Sequence, residues 1–125
     1  MVSENYFKEL GRFLYAIALA DGDVNDKEVK QLETMVKEGM KNHTEEELDA
    51  FLILMKLTFY NAKKEGLSVH VITNQFVHFL DQFHHLLKSE EKLIGRTLIM
   101  KMANAFKGVS EVEKREMKAV LPFLK

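Results

Sequence analysis

The sequence predicts an all-α fold: one compact bundle of about six helices over residues 1–125, containing two pseudo-symmetric helix–loop–helix units. Three observations predict it. Apolar residues recur at steps of three and four along most of the chain. Helix start and stop signals divide that pattern into six segments separated by only a few residues. Residues 18–36 resemble residues 103–121 at a constant offset of 85, with no gap. No β-type alternation competes with this reading. One proline and six glycines leave little room for long loops.

The first helix is expected over residues 3–20, with Phe7, Leu10, Leu14, Ile17 and Ala18 as its apolar stripe. Ala16, Ala18 and Ala20 are small enough to let a neighbouring helix come close. Asp21-Gly22-Asp23 then ends it, since Gly22 can take positive φ without steric cost. The second helix is expected over 26–41. Asn25 is its N-cap, Glu28 completes a variant of the capping box, and Asp26 and Glu28 suit the helix dipole. Its buried stripe is Val29, Leu32, Met35 and Val36.

The third helix is expected over 45–65, capped by Thr44 with Glu47 and closed by Gly66. Phe51, Leu52, Ile53, Leu54, Met55, Leu57, Phe59 and Tyr60 leave it little polar face, so it is expected at the centre of the bundle. The fourth follows Ser68 and runs to about Leu87, with Ile72, Phe76, Phe79, Leu80, Phe83 and Leu87 inward. The fifth follows Ser89 as cap and reaches about Phe106. The sixth follows Ser110, which pairs with Glu113 as a capping box; Met117, Val120, Leu121 and Leu124 are its stripe and Pro122 ends it.

Composition narrows the function classes. The chain has no cysteine, which excludes disulfides, thiolate metal sites and a cysteine nucleophile. Its net charge of −1 argues against a nucleic-acid binder. That total conceals a polarity: residues 1–50 hold 6 Lys+Arg against 12 Asp+Glu, whereas residues 86–125 hold 9 against 5. The polar start Met1-Val2-Ser3-Glu4-Asn5 shows no signal segment, so the cytoplasm is the expected location. The longest apolar stretch, 51–60, is interrupted by Lys56 and falls short of the roughly 20 residues a membrane span needs. Peripheral membrane association stays open, as does the oligomeric state.

Within the repeat, Ala18 and Ala20 match Ala103 and Ala105, and Val24 matches Val109. Asn25 and Ser110 are both caps. Asp26 and Glu28 match Glu111 and Glu113, while Leu32, Met35 and Val36 match Met117, Val120 and Leu121. Any two capped helices share some of these features. The paired Ala-x-Ala and the valine before each cap go further, because such a valine can staple the first turn.

The run Ala16-Ile17-Ala18-Leu19-Ala20-Asp21-Gly22-Asp23-Val24-Asn25-Asp26-Lys27-Glu28 resembles the signature of the tellurite-resistance TerB-like family. There an alanine-rich helix runs into Asp-Gly-x-Val/Ile, a capping residue and a Glu. The resemblance implies a compact all-helical bacterial domain of the kind found in tellurite and stress-response systems, alone or fused to partners such as J-domain co-chaperones. It also implies metal binding through clustered carboxylates, which here are Asp21, Asp23, Glu28 and Glu113. The second copy departs from the pattern. Phe106-Lys107 replaces Asp-Gly, Gly108 comes one place late, and Lys107 brings a positive charge that weakens a metal site.

Read from the residues alone, Asp21, Asp23 and Asn25 match the first, third and fifth positions of a calcium-binding loop. The sixth is Asp26 instead of glycine, and the twelfth is Leu32 instead of a bidentate Glu, so no EF-hand is expected. A looser oxygen-ligand site and a purely structural role, with Asp21 turning the chain and Glu28 capping, both stay open. His78, Asp81 and His85 share a helical-wheel face that could hold a metal, with a solvated polar face as the plainer reading. Ser68, Ser89 and Ser110 fit caps better than catalysis. Met40 and Phe123 are candidates for exposed, partner-binding residues. The expected function is therefore a non-enzymatic, cytoplasmic TerB-like interaction module in stress-response or membrane-associated complexes. It would bind a protein partner and need no cofactor. A divalent-cation protein using the acidic loop is the alternative.

Overall fold

The computed structural model describes residues 2–20, 26–41, 46–104 and 111–125. Six α-helices follow one another: α1 (Val2–Leu19), α2 (Asp26–Lys41), α3 (Glu46–Glu65), α4 (Val69–Phe83), α5 (Ser89–Ala103) and α6 (Glu111–Val120). Short 3₁₀ turns follow α4 (His84–Leu86) and α6 (Leu121–Leu124). There is no strand among the described residues, and the chain is an all-helical bundle.

The chain's chemistry accounts for the visible boundaries. Ser68 caps α4 by accepting from the Val71 amide at 3.2 Å. Gly66 ends α3 with φ +66°, and its N–H donates to the Ala62 carbonyl at 3.3 Å. Pro122 stands in the 3₁₀ turn that replaces the last turn of α6. The caps expected at Asn25, Thr44 and Ser110 lie outside the described residues.

Three expectations about the helices are corrected. Ser89 is not a cap: Lys88 holds that place, and Ser89 is the first residue of α5. Lysine has no side-chain acceptor, so only the returning half of a capping box forms, with the Glu91 carboxylate accepting from the Lys88 amide at 2.9 Å. α4 stops at Phe83 and not near Leu87, because the chain tightens into a 3₁₀ turn over the next three residues. α5 ends at Ala103, where Asn104 terminates it with its side-chain amide on the Met100 carbonyl at 2.8 Å.

The largest correction concerns the centre of the bundle. It is α1, not α3. Ten of the 18 residues of α1 are buried, around most of the helix: Tyr6, Phe7, Leu10, Gly11, Phe13, Leu14, Tyr15, Ala16, Ile17 and Ala18. α3, α4 and α5 pack directly on it; α2 lies across α3 and α5, and α6 packs on α4. Phe76 of α4 sits between Tyr6 and Phe13, with ring centroids 6.2 and 5.2 Å away. Phe7 stacks on Phe51 of α3 at 5.4 Å, and Tyr15 meets Phe59 edge-on at 5.7 Å.

Two glycines set these approaches. Glycine inside a helix costs about 0.5–1 kcal/mol relative to alanine, so each needs a steric reason. A Cβ on Gly11 would run into the Thr58 hydroxyl and the Met55 carbonyl of α3. A Cβ on Gly95 of α5 would run into the Tyr6 hydroxyl. That hydroxyl, fully buried, donates to the backbone carbonyl of Glu91 at 2.9 Å and ties α1 to the start of α5. Burial, with the Glu91 charge nearby, pushes the Tyr6 phenol well above the usual tyrosine range, so it stays a donor. At the other edge of α5, Arg96 donates to the Leu124 carbonyl at 2.8 Å and holds the C-terminal turn down.

The offset of 85 recurs in the burial pattern. The buried residues of α5 are Glu91, Gly95, Leu98, Ile99, Met102 and Ala103, and each stands 85 positions after a buried residue of α1. α2 and α6 start at Asp26 and Glu111, the same offset. Their described packing partners differ, since α1 meets α3, α4 and α5 whereas α5 meets α1, α2 and the C-terminal turn.

Gly95→Ala should cost about 1–3 kcal/mol of stability through overpacking. Tyr6→Phe should cost about 0.5–1.5 kcal/mol through loss of the hydrogen bond. The double variant should lose less than the sum, because phenylalanine lacks the hydroxyl that the new methyl meets. Urea unfolding of the four chains measures the coupling, and strict additivity would contradict the contact.

Candidate interaction surface

Of the residues the sequence singles out for metal binding, Asp21 and Asp23 lie outside the described residues. Glu28 is the third residue of α2 and Glu113 the third of α6, with both side chains outside the described part. The second loop, with Phe106, Lys107 and Gly108, also lies outside it. Among the described residues no group of three or more His, Asp or Glu is arranged to hold a metal ion.

The histidine-bearing face of α4 is exposed at His78, Asp81 and His85. Because α4 ends at Phe83, His85 falls in the 3₁₀ turn and leaves the helical line of His78. Two other histidines have structural contacts. His70 Nε2 lies 3.2 Å from Asn74 Nδ2, and His84 Nδ1 lies 2.7 Å from the Leu80 carbonyl. The His84 ring also rests on Phe123, 5.3 Å between centroids, so Phe123 is partly covered instead of free for a partner. The side chain of Met40 lies outside the described part.

α2 is fastened to its neighbours by apolar and polar contacts. Leu32 and Met35 are buried. Tyr60 of α3 donates to Glu33 at 2.5 Å, and Lys56 lies 3.8 Å from the same carboxylate oxygen. Desolvation, then the hydrogen bond to Glu33 and its charge, push the Tyr60 phenol up to about 12. Lys101 of α5 reaches Glu38 at 3.4 Å, so the acidic N-terminal part and the basic C-terminal part of the chain meet along α2 and α5. Both groups are half exposed, and such pairs contribute little energy singly. On the other side of α3, Arg12 bridges Glu9 at 3.3 Å and Glu65 at 3.6 Å. Burial raises the Glu9 carboxyl above its ordinary value, and Arg12 opposes that shift.

The outer surface carries large apolar side chains. On α3, Ile53 is 48% and Leu57 53% exposed; on α5, Leu93 is 50% and Met100 40% exposed. Each pair lies on one helical line, one or two turns apart. Scattered apolar residues on a surface are ordinary, but aligned pairs on outward helix faces are candidates for contact with another protein. The sequence reading missed Ile53 and Leu57 because they are embedded in a continuous apolar run. A signal was present in their line: counting by fours and threes, it passes through Glu46, Ala50, Ile53, Leu57, Tyr60 and Lys64, charged at both ends. No helix among the described residues is long and apolar enough to cross a membrane.

Comparison with known proteins leaves the assignment to this geometry: no family model, no curated protein and no solved structure matches the chain.

A tyrosine whose folded-state pKa is raised stabilises the fold fully below its unfolded value. That contribution is lost as pH rises through the folded value. Tyr60 should therefore weaken the fold between its ordinary value of 10.0 and about 12. Tyr6 acts in the same direction. Tyr60→Phe should flatten part of the alkaline loss of stability, read as melting temperature against pH; an unchanged profile would rule out the Tyr60–Glu33 bond as its source.

Proposed function

We propose that the chain is a non-enzymatic, cytoplasmic interaction module of TerB-like type, working in stress-response or membrane-associated complexes. The observation that carries this reading is the aligned exposure of large apolar side chains on the outward faces of α3 and α5. The signature in residues 16–28 supports it from the sequence side. A host protein partner is expected to bind the α5 face. Affinity purification from the native host should recover a partner with the wild-type chain. Leu93→Ser with Met100→Ser should lose that partner while leaving the melting temperature unchanged, since both positions face outward. Equal recovery by the variant, or none above background by the wild type, would remove the reading.

A second reading, divalent-cation binding by Asp21, Asp23, Glu28 and Glu113, draws on one backbone observation. α2 and α6 start in register, so Glu28 and Glu113 each stand third in their helices. Calorimetric titration with Ca²⁺, Mg²⁺, Mn²⁺ and Zn²⁺ should give heat and a raised melting temperature, both abolished by Asp21→Asn with Glu28→Gln. Absence of both signals would end this reading.

A further inference from the structure

We propose that the outward face of α3 is a self-association surface that binds α3 of a second copy of the chain in antiparallel orientation. The face is apolar in its middle, where Ile53 and Leu57 are about half exposed and Ala50 is also exposed one turn before them. The spacing of four, three and four along 46, 50, 53 and 57 is that of a seam between two helices. At the far end the line closes on Lys64, which is exposed. At the near end the sequence of α3 opens on Glu46-Glu47. Tyr60, which would continue the seam, is instead turned onto Glu33 of α2 and marks one border of the face.

This charge order selects the occupant. A two-fold axis between the copies sets Ile53 opposite Leu57 of the second copy, and the same register sets Glu46 opposite its Lys64. One line thus carries an acidic end, an apolar middle and a basic end, and it is complementary to itself when reversed. Antiparallel pairing also opposes the two helix dipoles favourably. Parallel pairing would set glutamate beside glutamate and lysine beside lysine, and is disfavoured. Three apolar side chains per copy make a small contact beside the roughly 800 Å² per partner of a standard interface. The association is therefore weak and depends on concentration. The proposal deepens the interaction-module reading by naming the occupant of one face, and it is tested on the purified full chain alone. A chain that is monomeric at every concentration ends the self-pairing and leaves the host-partner test on α5 undecided.

Sedimentation equilibrium over a concentration series should show the average mass rising from one chain towards two. Leu57→Glu should raise the dissociation constant at least tenfold, about 1.4 kcal/mol. Lys64→Glu should raise it by a smaller factor, and adding Glu46→Lys should restore the wild-type value. Leu57 and Lys64 are exposed, so circular dichroism and melting temperature should stay unchanged in the variants at these two positions. The proposal is overturned by monomers throughout, by a dimer indifferent to Leu57→Glu, or by failure of the charge swap to restore pairing. It is likewise overturned if the face takes a foreign helix while the pure chain stays single.

Discussion

How closely α3 and α5 approach α1 decides the rest of the molecule. A helix buried around most of its circumference needs neighbours that come near its backbone without leaving voids. Gly11 provides that on the α3 side, where the Thr58–Met55 turn occupies the space a side chain would take. Gly95 provides it on the α5 side, where the Tyr6 hydroxyl fills the gap and is satisfied by the Glu91 carbonyl. Once these distances are set, Phe76, Phe51 and Phe59 have defined rings to pack on. α2 and α6 then close the outside.

The helix count and several boundaries were legible because they depend on local chemistry. Ser68 caps α4, Gly66 closes α3 in the left-handed region, and Pro122 ends α6, each by an interaction within a few residues. The identity of the central helix was not legible in the same way. The third segment is the more continuously apolar, yet Ile53 and Leu57 face outward. The first segment carries tyrosines and a glycine that reduce its apparent hydrophobicity, yet Tyr6, Gly11 and Tyr15 are buried. Burial there is a matter of shape and of one satisfied hydroxyl, which hydropathy does not measure. Mid-helix glycine was the signal that pointed the right way.

The candidate surface was legible only in part. The charge asymmetry between the chain's two ends is visible in composition, and the structure brings those ends together at Glu38 and Lys101. The cap at Lys88 was not legible, because a lysine offers the helix no acceptor and the work falls to Glu91 three residues later. The four acidic residues of the metal reading lie where loop conformation and side-chain placement decide everything. Spacing along the chain says little about either.

The central position of α1 has a consequence for biosynthesis. This helix leaves the ribosome before the helices that cover it, and one of them, α5, begins 70 residues after α1 ends. At about 5–20 residues per second, that is a delay of several seconds. During that interval the nascent chain displays aromatic rings on more than one side of a helix that cannot yet be enclosed. Translation speed and the availability of a holding chaperone therefore bear on the yield of folded protein more heavily than its small size suggests.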